Sequence, residues 1–327
     1  MERNGKKNIQ RKKSFRLLPS IEDFLLHIQA NNYSHETLYN YERDLLTFDA
    51  FLAEEMGSLP FEKMTKRTIE QYKAYLNSFD RKTAQGAESE VHLKSGSINR
   101  TLTSLRRYLS FLIDMDIDVP VPPGSIKLLR GEKKHGQVAE LNELIQLIES
   151  PMQFEKNKMV ALRNRAALET LFASGMRISE LLSLKRNQLD KSGRIFIQGK
   201  GRKQRFIYLT ERAKKHIEAY LHERADDFPY LFIPNRGLNA TERNKRLSPN
   251  YLQMKIKRYR ELLGINVPTS AHSLRHGFAT YLAEQGANPA AIQILLGHES
   301  LETTTRYVHA SDKYAEDTHK KFHPLSK

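Results

Sequence analysis

The sequence predicts a mainly α protein with one small antiparallel β-sheet, divided into two modules. Three observations predict this. Apolar residues recur at helical spacing over most of the chain. Two short alternating runs, Arg194–Gln198 and 204–209, flank the glycine-rich turn GKGRK. A proline-rich and then charged stretch, 116–138, interrupts the helical pattern and reads as a linker.

Taken in order, residues 1–18 form a basic arm: Arg3, Lys6, Lys7, Arg11, Lys12, Lys13 and Arg16 stand against a single Glu2. Such a run can lie along a phosphate backbone. Residues 19–115 then read as a helical domain. Ile21, Phe24, Leu25 and Ile28 share one face; Asn31 and Asn32 break it; Ser34 is a natural N-cap for the run Leu38, Tyr41, Leu45, Phe48, Leu52. A helix over 65–76 follows, then a polar loop, 79–97. Ile98, Leu102, Leu105, Leu109 and Leu112 mark a fourth helix, with Arg100, Arg106 and Arg107 on its outer side as candidate DNA contacts.

The second module spans 139–327. Apolar residues over 141–148 and a long pattern over 158–174 predict two helices, the second ended by Gly175. Ile178, Leu181 and Leu182 anchor a short helix that leaves Arg177 at its start. In the hairpin, glycines on both sides of Lys200 suit a tight turn that presents the lysine at its tip. Amphipathic helices over 211–224 and 247–263 come next. From His272 onward, Leu274, Phe278, Tyr281 and Leu282 form one stripe, while His272, Arg275 and His276 project from the other side. Asn288 is an N-cap, Pro289 suits the first helical position, and Gly297 suits the residue past the end, so His298 lies at a helix exit. Tyr307 follows a polar run, and the tail 311–327 carries Tyr314 and Phe322 as its aromatics.

Composition narrows the function. With 53 Lys and Arg against 38 Asp and Glu, the net charge of +15 favours a polyanionic partner, most often nucleic acid. The absence of cysteine excludes disulfides, thiolate metal sites and a Cys nucleophile, and it fits a cytoplasmic location. No apolar run is long enough to span a bilayer, so no membrane partner is expected. There is no H-E-x-x-H and no carboxylate-rich cluster, so no metal site is expected.

The candidates for chemistry are Arg177, Lys200, His272, Arg275, His298 and Tyr307. Two histidines, cations and a tyrosine can stabilise, protonate and attack a phosphate. Each alone is most simply a packing or surface residue; together, in ASGMRISELLSL, IQGKGRKQRFIYL, HSLRHGFATYLAEQG and LLGHESLETTTRYVH, they form a pattern. In that order and spacing, the chain from about residue 19 resembles the tyrosine site-specific recombinases, the family of phage integrases and bacterial Xer recombinases.

The resemblance implies two domains that clamp duplex DNA like a C: a helical core-binding domain, 19–115, and a catalytic domain, 139–327, with a C-terminal docking tail. It implies that Arg177 and Arg275 grip the scissile phosphate, where the planar guanidinium fork matches the oxygens. Lys200 matches the general acid that protonates the departing 5′-oxygen, and His272 an acid/base group near the tyrosine. His298 matches a position that hydrogen-bonds the phosphate, and Tyr307 the nucleophile. Lys203 and His276 are further candidates for phosphate contact, and Glu180 for a supporting ion pair with Arg177. Attack conserves bond energy in a 3′-phosphotyrosine, so no cofactor is implied. The partners implied are double-stranded DNA, a homotetramer on two sites or a heterotetramer with a paralogue, and a septal DNA translocase. Chromosome or plasmid dimer resolution is the leading role; integration or excision of a mobile element and a type IB topoisomerase-like activity are the alternatives. A plain DNA-binding regulator would need neither Tyr307 nor His298.

Overall fold

A computed structural model describes residues 15–78, 93–130, 139–189, 192–198, 204–236 and 242–297. The chain forms two compact units, Met1–Lys134 and His135–Lys327.

In the first unit, α1 (Ile21–Ala30), α2 (His35–Ala50), α3 (Lys66–Asn77) and α4 (Ser95–Asp114) enclose a core of Phe24, Leu45, Phe48, Leu52, Tyr72, Leu102, Tyr108 and Leu109. Ser34 caps α2, accepting the Thr37 N–H at 3.2 Å. The loop expected over 79–97 ends sooner, because α4 already starts at Ser95; residues 79–92 lie outside the described residues.

Two boundaries differ from the composition-based reading. Residues 15–18 belong to the folded unit rather than to the arm: Leu18 is buried, and the Arg16, Leu17 and Leu18 N–H groups donate to the buried Asp49 carboxylate at 2.9, 2.9 and 3.1 Å. The arm's remaining residues, 1–14, lie outside the described residues. The first part of the expected linker is also packed. Val121 and Ile126 are buried in the same core, and Asn99 holds Leu129 through paired side-chain-to-backbone bonds of 2.9 and 2.7 Å. Apolar residues placed between prolines found a surface there, which a compositional reading treats as a spacer.

The second unit is built around α7 (Lys158–Ser174). Short helices α5 (Leu141–Glu149) and α6 (Pro151–Phe154) lead into it, α8 (Ile178–Leu181) follows it, and α6, α9 (Glu211–Glu223) and α11 (Ala271–Glu284) pack on it. α10 (Pro249–Leu262) and α12 (Pro289–Leu296) complete the helices described there. The sheet is one hairpin, β1 (Arg194–Gln198) against β2 (Gln204–Tyr208), with Ile195 opposite Ile207 and Ile197 opposite Arg205.

α7 is enclosed on nearly all sides, so its polar residues are buried and must find partners within the fold. Arg163 donates to the Ile233 carbonyl at 2.9 Å and the Tyr251 hydroxyl at 2.6 Å; Asn164 donates to the Tyr259 hydroxyl at 2.7 Å. Arg165 and Glu169 pair at 2.7 Å, four residues apart on the same helix. Gly175 ends α7 at φ 60, and a Cβ there would lie 2.3 Å from the Phe278 ring of α11, so both backbone and packing require glycine.

Candidate active site

The described part of the site lies where α7 ends, α8 begins, and α11 and α12 meet. α11 is capped by Ser270, whose hydroxyl accepts the Ser273 N–H at 3.2 Å. α12 has the punctuation that its sequence shows: the Asn288 side chain caps it, Pro289 is in the first turn, and Gly297 closes it at φ 65. Phe278 and Leu282 pack against Ala279, Ile292 and Leu296, and this small cluster joins α11 to α12.

Arg275 departs from its expected place. Instead of projecting outward beside His272, it is 3% exposed. It donates to the Gly175 carbonyl at the end of α7 and to the Leu296 carbonyl at the end of α12, both at 2.8 Å. The cause is helical phase: Arg275 stands four residues before Ala279 and seven before Leu282, so it shares the buried face of α11 with Ala271, Leu274 and Ala279, whereas His272 falls outside that face. A guanidinium can answer carbonyls from two helix ends at once because its donors diverge in a rigid plane.

Arg177 precedes α8, and its backbone N–H donates to Glu180 at 2.8 Å, a glutamate in the first turn reaching back to the residue ahead of the helix. Its guanidinium meets the same carboxylate at 3.0 Å, as the supporting pair was expected to, and lies 3.4 Å from the Gly297 carbonyl. Burial alone would raise the Glu180 carboxyl. The bonds from Arg205 and the Arg177 backbone, and both positive charges, outweigh it and hold the group below the usual carboxylate range. Arg177 and Arg275 thus reach the successive carbonyls of 297 and 296.

His272, in the first turn of α11, is exposed. Partial desolvation, then the charges of Arg275, His276 and Arg177, hold its imidazole below the ordinary value. His276 meets the Thr280 hydroxyl at 3.1 Å, and burial lowers its imidazole as well.

So Arg177, His272 and Arg275 come together. Lys200, Lys203, His298, Tyr307 and the tail 311–327 lie outside the described residues. Of the candidate DNA contacts on α4, Arg107 is exposed and Arg106 half-buried. Arg100 is exposed as well, with one guanidinium nitrogen held by the fold. It pairs at 2.6 Å with Asp44, a buried carboxylate that also accepts from the Ser104 hydroxyl at 2.8 Å. Asp44 lies on α2, so its nearness to Arg100 is a product of packing and leaves no trace in the periodicity of α4. Sequence reasoning missed Arg205. The available signal was an arginine in the inward phase of a strand, alternating with Ile207.

Comparison with known proteins gives a consistent family. Residues 138–314 match the phage integrase family, and residues 21–115 match the phage integrase N-terminal SAM-like domain. Tyrosine recombinase XerC of Lactobacillus delbrueckii subsp. bulgaricus is 32% identical over 295 residues, covering 89% of this chain and 94% of that protein. Tyrosine recombinase XerD of Oceanobacillus iheyensis is 29% identical over 307 residues, covering 93% and 98%. In fold, the chain is similar to the XerH site-specific recombinase bound to difH substrate in a pre-cleavage complex. The TM-score is 0.65 at 23% identity, covering 90% of this chain and 82% of that one.

Proposed function

The chain belongs to the phage integrase family as a Xer-type tyrosine recombinase, a DNA breaking-rejoining enzyme, and from that premise we propose which residues do the chemistry and to what end. Tyr307 attacks the scissile phosphorus, forming a 3′-phosphotyrosine and breaking the bond to the 5′-oxygen. Lys200 gives that oxygen its proton, and His272 takes the proton of the tyrosine. Arg177, Arg275 and His298 hold the non-bridging oxygens, where fixed donors stabilise the charge that develops. Rejoining is the same step reversed, with the 5′-hydroxyl as nucleophile, so bond energy is kept.

The convergence of Arg177 and Arg275 on residues 296–297 supports this assignment most directly, because it gathers both guanidinium groups at the helix exit that leads to His298. The net charge of +15 suits a duplex partner, with Arg106, Arg107 and Lys203 on the phosphate backbone. Each protomer cuts one strand, so exchange between two duplexes takes four, as a homotetramer or with a paralogue. Resolution of chromosome or plasmid dimers in the cytoplasm, aided by a septal DNA translocase, is the role proposed. Among the described residues no helix is long and apolar enough to cross a membrane.

The test is to select bound sites from a random DNA library and present one as a nicked suicide substrate. A denaturant-resistant protein–DNA adduct is expected, formed equally in EDTA. Its absence on every selected site would refute the proposal.

Two expectations follow from individual roles. Lys200→Ala should slow cleavage by about 10²–10⁴-fold, the usual range for loss of a general acid. A 5′-bridging phosphorothiolate, whose sulfur departs without a proton, should restore most of that loss; equal slowing on both substrates would remove Lys200 from the role. For His272, a lowered pKa means that the neutral, proton-accepting form persists to lower pH. Single-turnover cleavage should therefore stay level as pH falls to about 6.5, the ordinary imidazole value, and decline only beneath it. His272→Gln should be slower and lack that decline. A decline already complete above that pH would exclude His272 as the base.

A further inference from the structure

Arg205 is a charged residue in a place that ordinarily takes an apolar one. It is the inward-facing partner of Ile197 in the hairpin, on the same phase as Ile207, and is 9% exposed. Charge at such a position persists only when it is closely paired. Every nitrogen of its guanidinium is engaged. Nη1 and Nη2 donate to the two oxygens of Glu180 at 3.0 and 2.8 Å, and Nε donates to the Leu295 carbonyl at 2.9 Å. A Cβ added at Gly297 would lie 3.0 Å from the Arg205 Cδ, so the arginine stem lies close beneath the last turn of α12.

These contacts join three parts of the site. Glu180 is the first link. Its carboxylate accepts two bonds from Arg205 and two from Arg177, one each from backbone and side chain. Four bonds fill the acceptor sites of a carboxylate. Arg205 takes the bidentate share and so sets the carboxylate plane, and that plane sets the direction of Arg177. The Leu295 carbonyl is the second link, three residues before His298 in sequence. The strand itself is the third: Arg205 is five residues beyond Lys200 and belongs to the hairpin whose turn carries it. A lysine could supply the charge but not the geometry, because a single ammonium cannot span both carboxylate oxygens and a backbone carbonyl in one plane.

We propose that Arg205 is a positioning residue for strand cleavage, which aims Arg177 through Glu180 and fixes the end of α12, the helix that precedes His298 in sequence. This rests on the recombinase assignment above. Arg205 acts through its neighbours and need not touch DNA. Its loss should therefore spare half-site binding and lower the cleavage step, since small misplacements of a reacting group cost on the order of 10²-fold.

The experiment compares the full chain with Arg205→Lys and Arg205→Met on a selected site. Half-site binding, thermal midpoint and single-turnover cleavage are measured. A second substrate carries a methylphosphonate at the scissile position, with one anionic oxygen replaced by a neutral methyl. Both variants should bind half-sites within about threefold of wild type and cleave the ordinary phosphate about 30- to 100-fold more slowly. On the methylphosphonate, where less charge awaits Arg177, the deficit relative to wild type should shrink to about fivefold or less. A purely structural role would lower both substrates alike, so equal deficits overturn the proposal. Wild-type cleavage in Arg205→Lys overturns it too, because the bidentate geometry would then be dispensable. Should Arg205→Met fail to bind as a folded protomer, the lysine variant decides. If both fail, Arg205 serves the stability of the unit and the proposal is wrong. An inert wild type on every selected site is a different result: it removes the recombinase assignment, and this proposal with it.

Discussion

Tyr307→Phe should eliminate the covalent adduct on a nicked suicide substrate while leaving half-site binding within about twofold of wild type. The substitution removes one oxygen and keeps the ring. Binding rests chiefly on cations distributed over the surface, reflected in a net charge of +15, so it has little to lose from one hydroxyl. Chemistry has almost everything to lose. A phenol ionises near pH 10, so the oxygen must be activated by a neighbouring base and by positive charge. Without it, cleavage should fall on the order of 10⁴-fold or more. Denaturing gels of adduct against time would measure this. Tyr314 lies seven residues further on and is a built-in control. An adduct that persists in Tyr307→Phe and disappears in Tyr314→Phe would move the nucleophile. Chelation should change neither the wild-type rate nor the adduct yield, because in the proposed assignment Arg177, Lys200 and Arg275 supply the positive charge at the phosphate. Inhibition by EDTA that Mg²⁺ reverses would contradict that.

Arg275→Met should cost both activity and stability, and the stability loss is the part that its proposed phosphate contact alone would not predict. Its two donors satisfy carbonyls at the ends of α7 and α12 at 2.8 Å each. Methionine fills similar volume but leaves both carbonyls buried without that donor, at about 1–3 kcal/mol each. For a unit of this size that corresponds to a thermal midpoint lower by several degrees. Losing a fixed donor at the phosphate should slow cleavage by about 10²–10³-fold in addition. Arg275→Lys should recover little of either, since one ammonium cannot reach carbonyls on two helices. Thermal unfolding together with single-turnover cleavage separates the effects. A native midpoint in Arg275→Met would show that these carbonyls find other donors and that the arginine is not what joins the helices.

Much of this protein is local, and what is local can be read in one dimension. Ser34, Asn288 and Gly297 punctuate helices because a capping side chain or a left-handed residue answers groups only a few positions away. The hairpin is legible because the alternation of Ile195, Ile197 and Ile207 has the period of a strand. The four motifs carry the family because they preserve residue type and spacing. None of this requires knowing which distant segments meet.

The sequence by itself therefore determined the mainly helical class, the hairpin and the family, and it named the six residues proposed for the chemistry. Tertiary structure decided how charges are spent. Arg100 reads as an outward-facing DNA contact until Asp44, 56 residues away, is found against it. Arg275 reads as solvent-facing until α7 and α12 cover it. Arg205 reads as one more basic residue until Glu180, 25 residues earlier, and Leu295, 90 residues later, take up its donors. The physical reason is that a buried group demands a partner: Arg205 and Arg275 are themselves buried, and Asp44 is the buried group opposite the exposed Arg100. Periodicity reports which face of an element is apolar, whereas the partner of a buried charge depends on which elements pack together, and desolvation makes that partner obligatory.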